Sequence, residues 1–255
     1  MKKIIVMIGL LLLLFGCTDQ DGDSSSPTTP FIGGSTGLLI SFAEGAPPAE
    51  VYDGNDFPFS IDVILKNDGE YTIPADRTHV KITGILADDF GTTQPELQKV
   101  ISETFEKTDK DSEGNVLEGT EIHAEFDNLV YVGQLSGNTP FTLRADVCYE
   151  YGTTATAKIC VRDDITDTGK DGVCKVTEQK EVFNSGAPVQ IVQLDEKVTG
   201  SDKISIIFEV QKKGNGQIYK TPFKGGGTIP DSQCEDERSF RDKVWVEVDA
   251  DNAAL

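Results

Sequence analysis

Histidine, tryptophan and methionine are nearly missing from this chain, with two, one and two residues. So few imidazoles leave little from which to build general acid–base or activated-nucleophile chemistry. No G-x-S-x-G elbow, P-loop or H-E-x-x-H motif occurs. Paired carboxylates abound, but in so acidic a chain they carry no glycosidase signal by themselves. The sequence therefore reads as non-enzymatic. Positive charge is also scarce: 23 basic residues face 43 acidic ones, for a formal net charge of −20. Such a field repels phosphate backbones and excludes nucleic acid as an expected partner. It fits a well-hydrated outer surface or the binding of divalent cations. No C-x-x-C pair exists and no histidine lies near a cysteine, which argues against a zinc site. No apolar run reaches the roughly 20 residues that span a bilayer.

The longest apolar run is Ile4 to Phe15, preceded by Lys2 and Lys3. That order, a short positive segment and then a brief apolar one, predicts a signal peptide over 1–16. The run ends in Leu14-Phe15-Gly16-Cys17, which resembles a prokaryotic lipobox, although Phe15 is bulkier than that pattern usually carries. The resemblance implies that Cys17 becomes a lipidated N-terminus, anchored by hydrocarbon burial at about 0.8 kcal/mol per CH₂. Residues 17–36 are rich in Ser, Thr, Pro, Gly and Asp. They offer too little apolar surface to offset the entropy of ordering and read as a flexible tether. The expected location is outside the cytoplasm, anchored to a membrane at the cell surface or on its periplasmic face.

From Leu38 onward, alternation of period two dominates. "FPFSIDVILK" sets Phe57, Phe59, Ile61, Val63 and Leu65 on one face. "HVKITGIL" points Val80, Ile82 and Leu86 inward and His79, Lys81 and Thr83 outward, and "EIHAEF" buries Ile122, Ala124 and Phe126. Asn67-Asp68-Gly69, Glu113-Gly114-Asn115 and Ser136-Gly137-Asn138 punctuate these runs as hairpin turns. Only "TQPELQKVI" hints at a helix. The expectation is an all-β chain with an antiparallel β-sandwich over 37–163, a linker over 164–184, and a second, shorter sandwich over 185–255. The second unit is either a minimal domain or an incomplete one, since a sandwich runs to about 100 residues. "FSIDVILKNDGEY" and "ISIIFEVQKKGNGQIY" echo each other as strand, polar pair, glycine and tyrosine, which suggests two related units in tandem. In the second, Ile204, Ile206, Phe208 and Val210 share a face.

Apart from Cys17, four cysteines remain: Cys148, Cys160, Cys174 and Cys234. An even number in an exported chain suggests disulfides, with three connectivities open. "FTLRADVCYEY" and "TATAKICVR" read as two strands joined around Gly152 to Thr154, which favours a Cys148–Cys160 cross-hairpin bridge. Such a short loop is worth about 3 kcal/mol. Cys174 and Cys234 would then pair and tie the linker to the second unit.

The "NxG" turns resemble those of prokaryotic CARDB (cell-adhesion-related) and S-layer-associated immunoglobulin-like domains. The "CYEYGTTATAKICV" stretch, a third cysteine and then "GAPVQI" are similar to an arrangement in lipid-anchored surface proteins of archaea. The resemblance implies a surface-exposed, non-catalytic, Ig-like module with a structural or adhesive role, whose partner is an envelope protein or glycan. The alternative is a substrate-binding or accessory lipoprotein of a transporter or envelope complex. That would need a concave pocket lined by aromatics with convergent polar groups. The aromatics fall mostly on core-facing positions or strand ends, so no such cluster is expected. No cofactor is expected beyond a weak Ca2+ site, which would stiffen a surface stalk. "DKDSEGNVLEGTE" places Asp109, Asp111 and Glu113 at positions 1, 3 and 5 of a loop resembling an EF-hand, with Gly114 at the turn. Thr120 stands where the bidentate glutamate belongs, and the flanks are strands. His79 and His123 both fall on polar strand faces, where solvated sheet surface is the ordinary role. Oligomeric state is not legible.

Overall fold

The structure, a computed structural model, describes residues 29–162, 174–200, 203–220 and 238–249. The leader, Cys17, the whole linker segment Asp163–Gly172 and Cys234 lie outside the described residues. The described chain is all-β with almost no helix. Thirteen strands run in order: β1 Leu38–Phe42, β2 Phe59–Asn67, β3 Thr78–Thr83, β4 Gln98–Ile101, β5 Asp109–Lys110, β6 Val116–Leu117 and β7 Glu121–Leu129. They continue as β8 Arg144–Tyr149, β9 Ala155–Ala157, β10 Glu178–Lys180, β11 Val182–Asn184, β12 Val189–Val198 and β13 Ile204–Lys212. Among the described residues no helix is long and apolar enough to cross a membrane.

The first unit packs one three-stranded antiparallel sheet, β1-β2-β7, against another, β4-β3-β8. The alternation explains the arrangement. Ile61, Val63 and Leu65 of the central β2 point at Val80 and Ile82 of the central β3, and all five are essentially inaccessible. Ala124 and Phe126 complete the layer, and Ile122 is partly buried against it. Ile73 and Phe105 close one end by exchanging backbone hydrogen bonds of 3.0 Å each, with both side chains fully buried. The outer row of the second sheet carries His79, Lys81 and Thr83, as the alternation requires.

Two expected core residues are elsewhere. Phe57 precedes β2 and is 60% exposed, resting against Tyr52 at 5.3 Å between ring centroids. Leu86 is 69% exposed because Gly84, at φ +89°, turns the chain and ends the period of two. A Cβ at Gly84 would lie 2.0 Å from the Thr142 carbonyl oxygen, so the turn admits no other residue. Phe90 and Leu97, from two single turns of 3-10 helix, fill the core instead. The second of those turns, Pro95–Leu97, is all the helix that "TQPELQKVI" forms; β4 starts at Gln98.

Turn Asp111–Asn115 does join the hairpin β5–β6. Asn67-Asp68-Gly69 and Ser136-Gly137-Asn138 do not join neighbouring strands, because β2 and β3, like β7 and β8, belong to opposite sheets. "CYEYGTTATAKICV" is likewise no hairpin. β8 pairs with β3, while β9 leaves the first unit and pairs with β11.

The second unit contains the sheet β10-β12-β13 and the small sheet β9-β11. Within 164–184, read from the sequence as linker, β10 and β11 are strands. The long hairpin β12–β13 runs in register from Val189–Lys212 to Val198–Ile204, with a bulge at Ile191 to Gln193. Its Ile204, Phe208 and Val210 are only half-buried, and Ile206 is exposed. Cys160 is bonded to Cys174 across a Cα–Cα distance of 5.7 Å. Beside that bridge Glu196, fully buried, accepts from Lys180 Nζ at 3.1 Å and from the Cys160 N–H at 3.0 Å. Burial opposes the ammonium of Lys180. Hydrogen bonds to Glu178 and Glu196 and their charges outweigh burial and hold its pKa above the ordinary 10.5.

Candidate functional site

The "NDGEY" stretch is the joint of the molecule. Asn67, fully buried, donates its amide to the carbonyls of Tyr71 at 2.8 Å and Glu106 at 3.1 Å, and its Oδ1 accepts the Gly69 N–H. A buried amide is tolerated only when satisfied in this way. Three residues later the carboxylate of Glu70 gathers backbone amides from two distant segments. Ile32 donates to Oε1 at 2.9 Å, and Gly33 and Gly186 donate to Oε2 at 2.8 and 2.6 Å. The Glu70 N–H in turn donates to the Gly186 carbonyl at 2.8 Å. The second copy of the echo lands on the same segment: Lys213 and Gly214 both donate to the Pro188 carbonyl, at 2.7 and 3.0 Å. Thus Gly186 is held by the turn of the first unit, while Pro188 closes the β12–β13 ladder of its own unit.

Three tyrosines stack at this joint. Tyr71 and Tyr151 lie 5.3 Å apart between centroids, and Tyr149 and Tyr151 5.7 Å apart, edge to face. Tyr149 Oη accepts the Leu38 N–H at 3.3 Å, and Tyr151 Oη donates to the Gly186 carbonyl at 3.3 Å. Burial pushes all three hydroxyls above the ordinary phenol range, with the charge of Glu150 adding to it at Tyr71. Their approach needs glycine: a Cβ on Gly69 would fall 1.9 Å from Tyr151 Oη, and one on Gly152 2.5 Å from the Tyr71 ring.

Beside the joint opens a cleft of about 1890 Å³. Its floor is the outer face of β4-β3-β8, where His79, Lys81 and Thr83 stand opposite Cys148, Asp146 and Arg144. Its other walls come from the second unit, including Tyr219, Lys220, Phe240 and Trp245, and the joint supplies Tyr71, Tyr149 and Tyr151. Lys220 Nζ lies over the Trp245 ring at 3.9 Å from its centroid, inside the range of a cation–π contact.

Of the residues singled out in the sequence, Cys17 and Cys234 are outside the described residues. Cys148 is disulfide-bonded, but not to Cys160, whose partner is Cys174. The expected Cys148–Cys160 and Cys174–Cys234 pairing fails because β8 and β9 diverge into different sheets. His79 lines the cleft. His123 sits on the far sheet with Nδ1 at 2.7 Å from Asp62 Oδ2, and that hydrogen bond and the charge of Asp62 raise its pKa above 6.5. In the acidic hairpin, Asp111 Oδ1 accepts the amides of Glu113 and Asn115 at 2.9 and 2.8 Å, and its Oδ2 accepts Asn115 Nδ2. These bonds, led by the Asn115 side chain, hold its carboxyl below the ordinary range. Asp109 pairs with Lys107 at 2.8 Å and is also held low by it. Asp111 thus serves as the staple of its own turn. Among the described residues no group of three or more His, Cys, Asp or Glu is arranged to hold a metal ion.

The sequence reading missed both the tyrosine stack and Trp245. The spacing Tyr149-x-Tyr151 was a signal for the stack. Its meaning depends on Gly37, Gly69 and Gly152 meeting those rings from other parts of the chain. No protein-family model, curated protein or solved structure matches the chain.

Proposed function

We propose that this chain is a lipid-anchored, non-catalytic surface protein. Cys17 carries the anchor, the segment after it is the tether, and two Ig-like units in tandem engage an envelope protein or glycan. The observation that carries the reading is the joint. Glu70 and Tyr151 bind the second unit to the first through Gly186. A rigid two-unit body on a leash suits presentation of a binding surface at a distance from a membrane.

Fractionation of cells expressing Cys17→Ser tests the anchor: the variant is expected in the soluble fraction, and retention in the membrane after leader processing defeats it. Short-range cross-linking on intact cells, read by mass spectrometry, tests the role. Links to a wall or surface-layer subunit support it. A second reading, an accessory lipoprotein that captures a ligand for a transporter or envelope complex, is favoured by the aromatic-walled cleft. Links to a transporter would select that reading.

A further inference from the structure

We propose that the cleft binds a short acidic oligosaccharide, with carboxylates taken by its lysines and a sugar ring laid on Trp245. The proposal rests on the surface-binding reading and names the ligand class. Its first ground is an inversion of charge. The whole chain has nearly two acids for each base, yet five basic residues line this cleft: Lys81, Lys99, Arg144, Lys213 and Lys220, of which Lys99 turns its ammonium over the core Phe126 ring. Only three acids do so, Asp146, Glu150 and Glu247. Asp146 is held by Arg144 at 2.8 Å and by the Thr83 hydroxyl at 2.8 Å. Glu150 pairs with Arg77 at 3.4 Å. Lys81, flanked in register by Gln98 and Asp146, makes no salt bridge among the described residues. Its cross-strand neighbour has turned to Arg144.

The second ground is the company these cations keep. Trp245 is half exposed at the wall, and the Lys220 ammonium over its ring would move onto a ligand carboxylate as a sugar takes that face. Gln98 and Asn215 contribute amides, which donate and accept as sugar hydroxyls do. An acidic peptide would use the lysines but has no need of an indole face. The charge of −20 limits ligand size. At physiological salt the Debye length is about 8 Å, so a ligand confined to the cleft feels the local lysines, whereas a long polyanion would run onto acidic surface.

Calorimetric titration of the purified full chain with a uronic-acid hexamer tests the proposal, beside an uncharged glucose hexamer and hexaglutamate as comparators. The uronate is expected to bind, the glucan not to, and hexaglutamate to bind at least tenfold more weakly than the uronate. Lys81→Glu and the milder Lys81→Gln should each weaken uronate binding, the first by more than tenfold, with the melting temperature kept. Trp245→Ala should weaken it similarly. The proposal is overturned if the uronate does not bind, if the glucan or hexaglutamate equals it, or if neither the Lys81 nor the Trp245 variants lose affinity. Because the titration does not involve the anchor, such a failure leaves the surface role to be judged separately by the cross-linking.

Discussion

Between Leu38 and Leu129, fifteen apolar side chains form one buried cluster; in the second unit only Cys160 and Val176 are buried together, among the described residues. The first unit follows the ordinary rule for a sheet pair, two apolar faces closing on each other. The second buries an ion pair, Lys180–Glu196, against a disulfide and presents half-exposed isoleucines on its longest hairpin. A buried ion pair yields little net stability once desolvation is counted. The second unit is therefore held in shape by its cross-link and by docking at the joint, while the first is held by its own core.

The largest expected effect is in the first unit. Phe105→Ala should cost about 3–5 kcal/mol, the usual loss for a buried phenylalanine, measured by urea unfolding. The matching deletion Ile206→Ala, at a side chain 39% exposed, should cost less than about 1 kcal/mol. Equal losses would break the comparison.

Next comes Cys160→Ala with Cys174→Ala. The bridge closes a separation of 14 residues, worth about 3 kcal/mol in the chain-entropy model. It also fixes the Cys160 N–H that Glu196 accepts. Hydrogen exchange should accelerate in β10 and β12 while β2 and β3 keep their protection. Loss of protection across both units would show that the first does not stand alone.

Glu70→Gln should have a smaller effect, about 1.5–3 kcal/mol by the worth of hydrogen bonds to a charged group. It replaces an acceptor of three amides by a group that accepts through one atom only. Faster exchange is expected at the amides of Gly33 and Gly186, with the core unaffected. Unchanged exchange there would mean that the joint is held by the tyrosine stack instead.

Legibility in the sequence followed the same division. Where a strand is buried on one face, as in β2, β3 and β7, period-two alternation identified Ile61, Val63, Val80, Ile82, Ala124 and Phe126 as core. Strand pairing was not legible, since alternation states which face is inward and not which strand is the neighbour. That is why "CYEYGTTATAKICV" read as a hairpin and the cysteine pairing followed it astray. The cleft escaped for a related reason: Lys81, Tyr151 and Trp245 are far apart in the chain and share nothing but the geometry of the joint. The echo between "NDGEY" and "KGNGQIY" was visible, but the two turns play different parts: Glu70 binds Gly186 across the units, whereas Lys213 and Gly214 extend the β12–β13 ladder to Pro188.

The smallest effect contrasts an exposed pair with the buried one. His123 and Asp62 meet at 2.7 Å on the outer face of β2 and β7, and His123 is 44% exposed in its side chain. Its pKa is raised above 6.5, first by the hydrogen bond to Asp62 and then by that residue's charge, with Glu121 and Glu125 adding to it. A raised folded pKa stabilises the fold fully below 6.5, and this is lost as pH climbs through the folded value. Salt and water screen a pair so exposed, so the folded chain should survive the titration with its melting temperature nearly constant. Nuclear magnetic resonance of the imidazole should give a midpoint above 6.5 that falls in Asp62→Asn. A midpoint unmoved by that substitution would place the shift in the general field of an acidic surface, and the pair would then contribute nothing specific to the first unit.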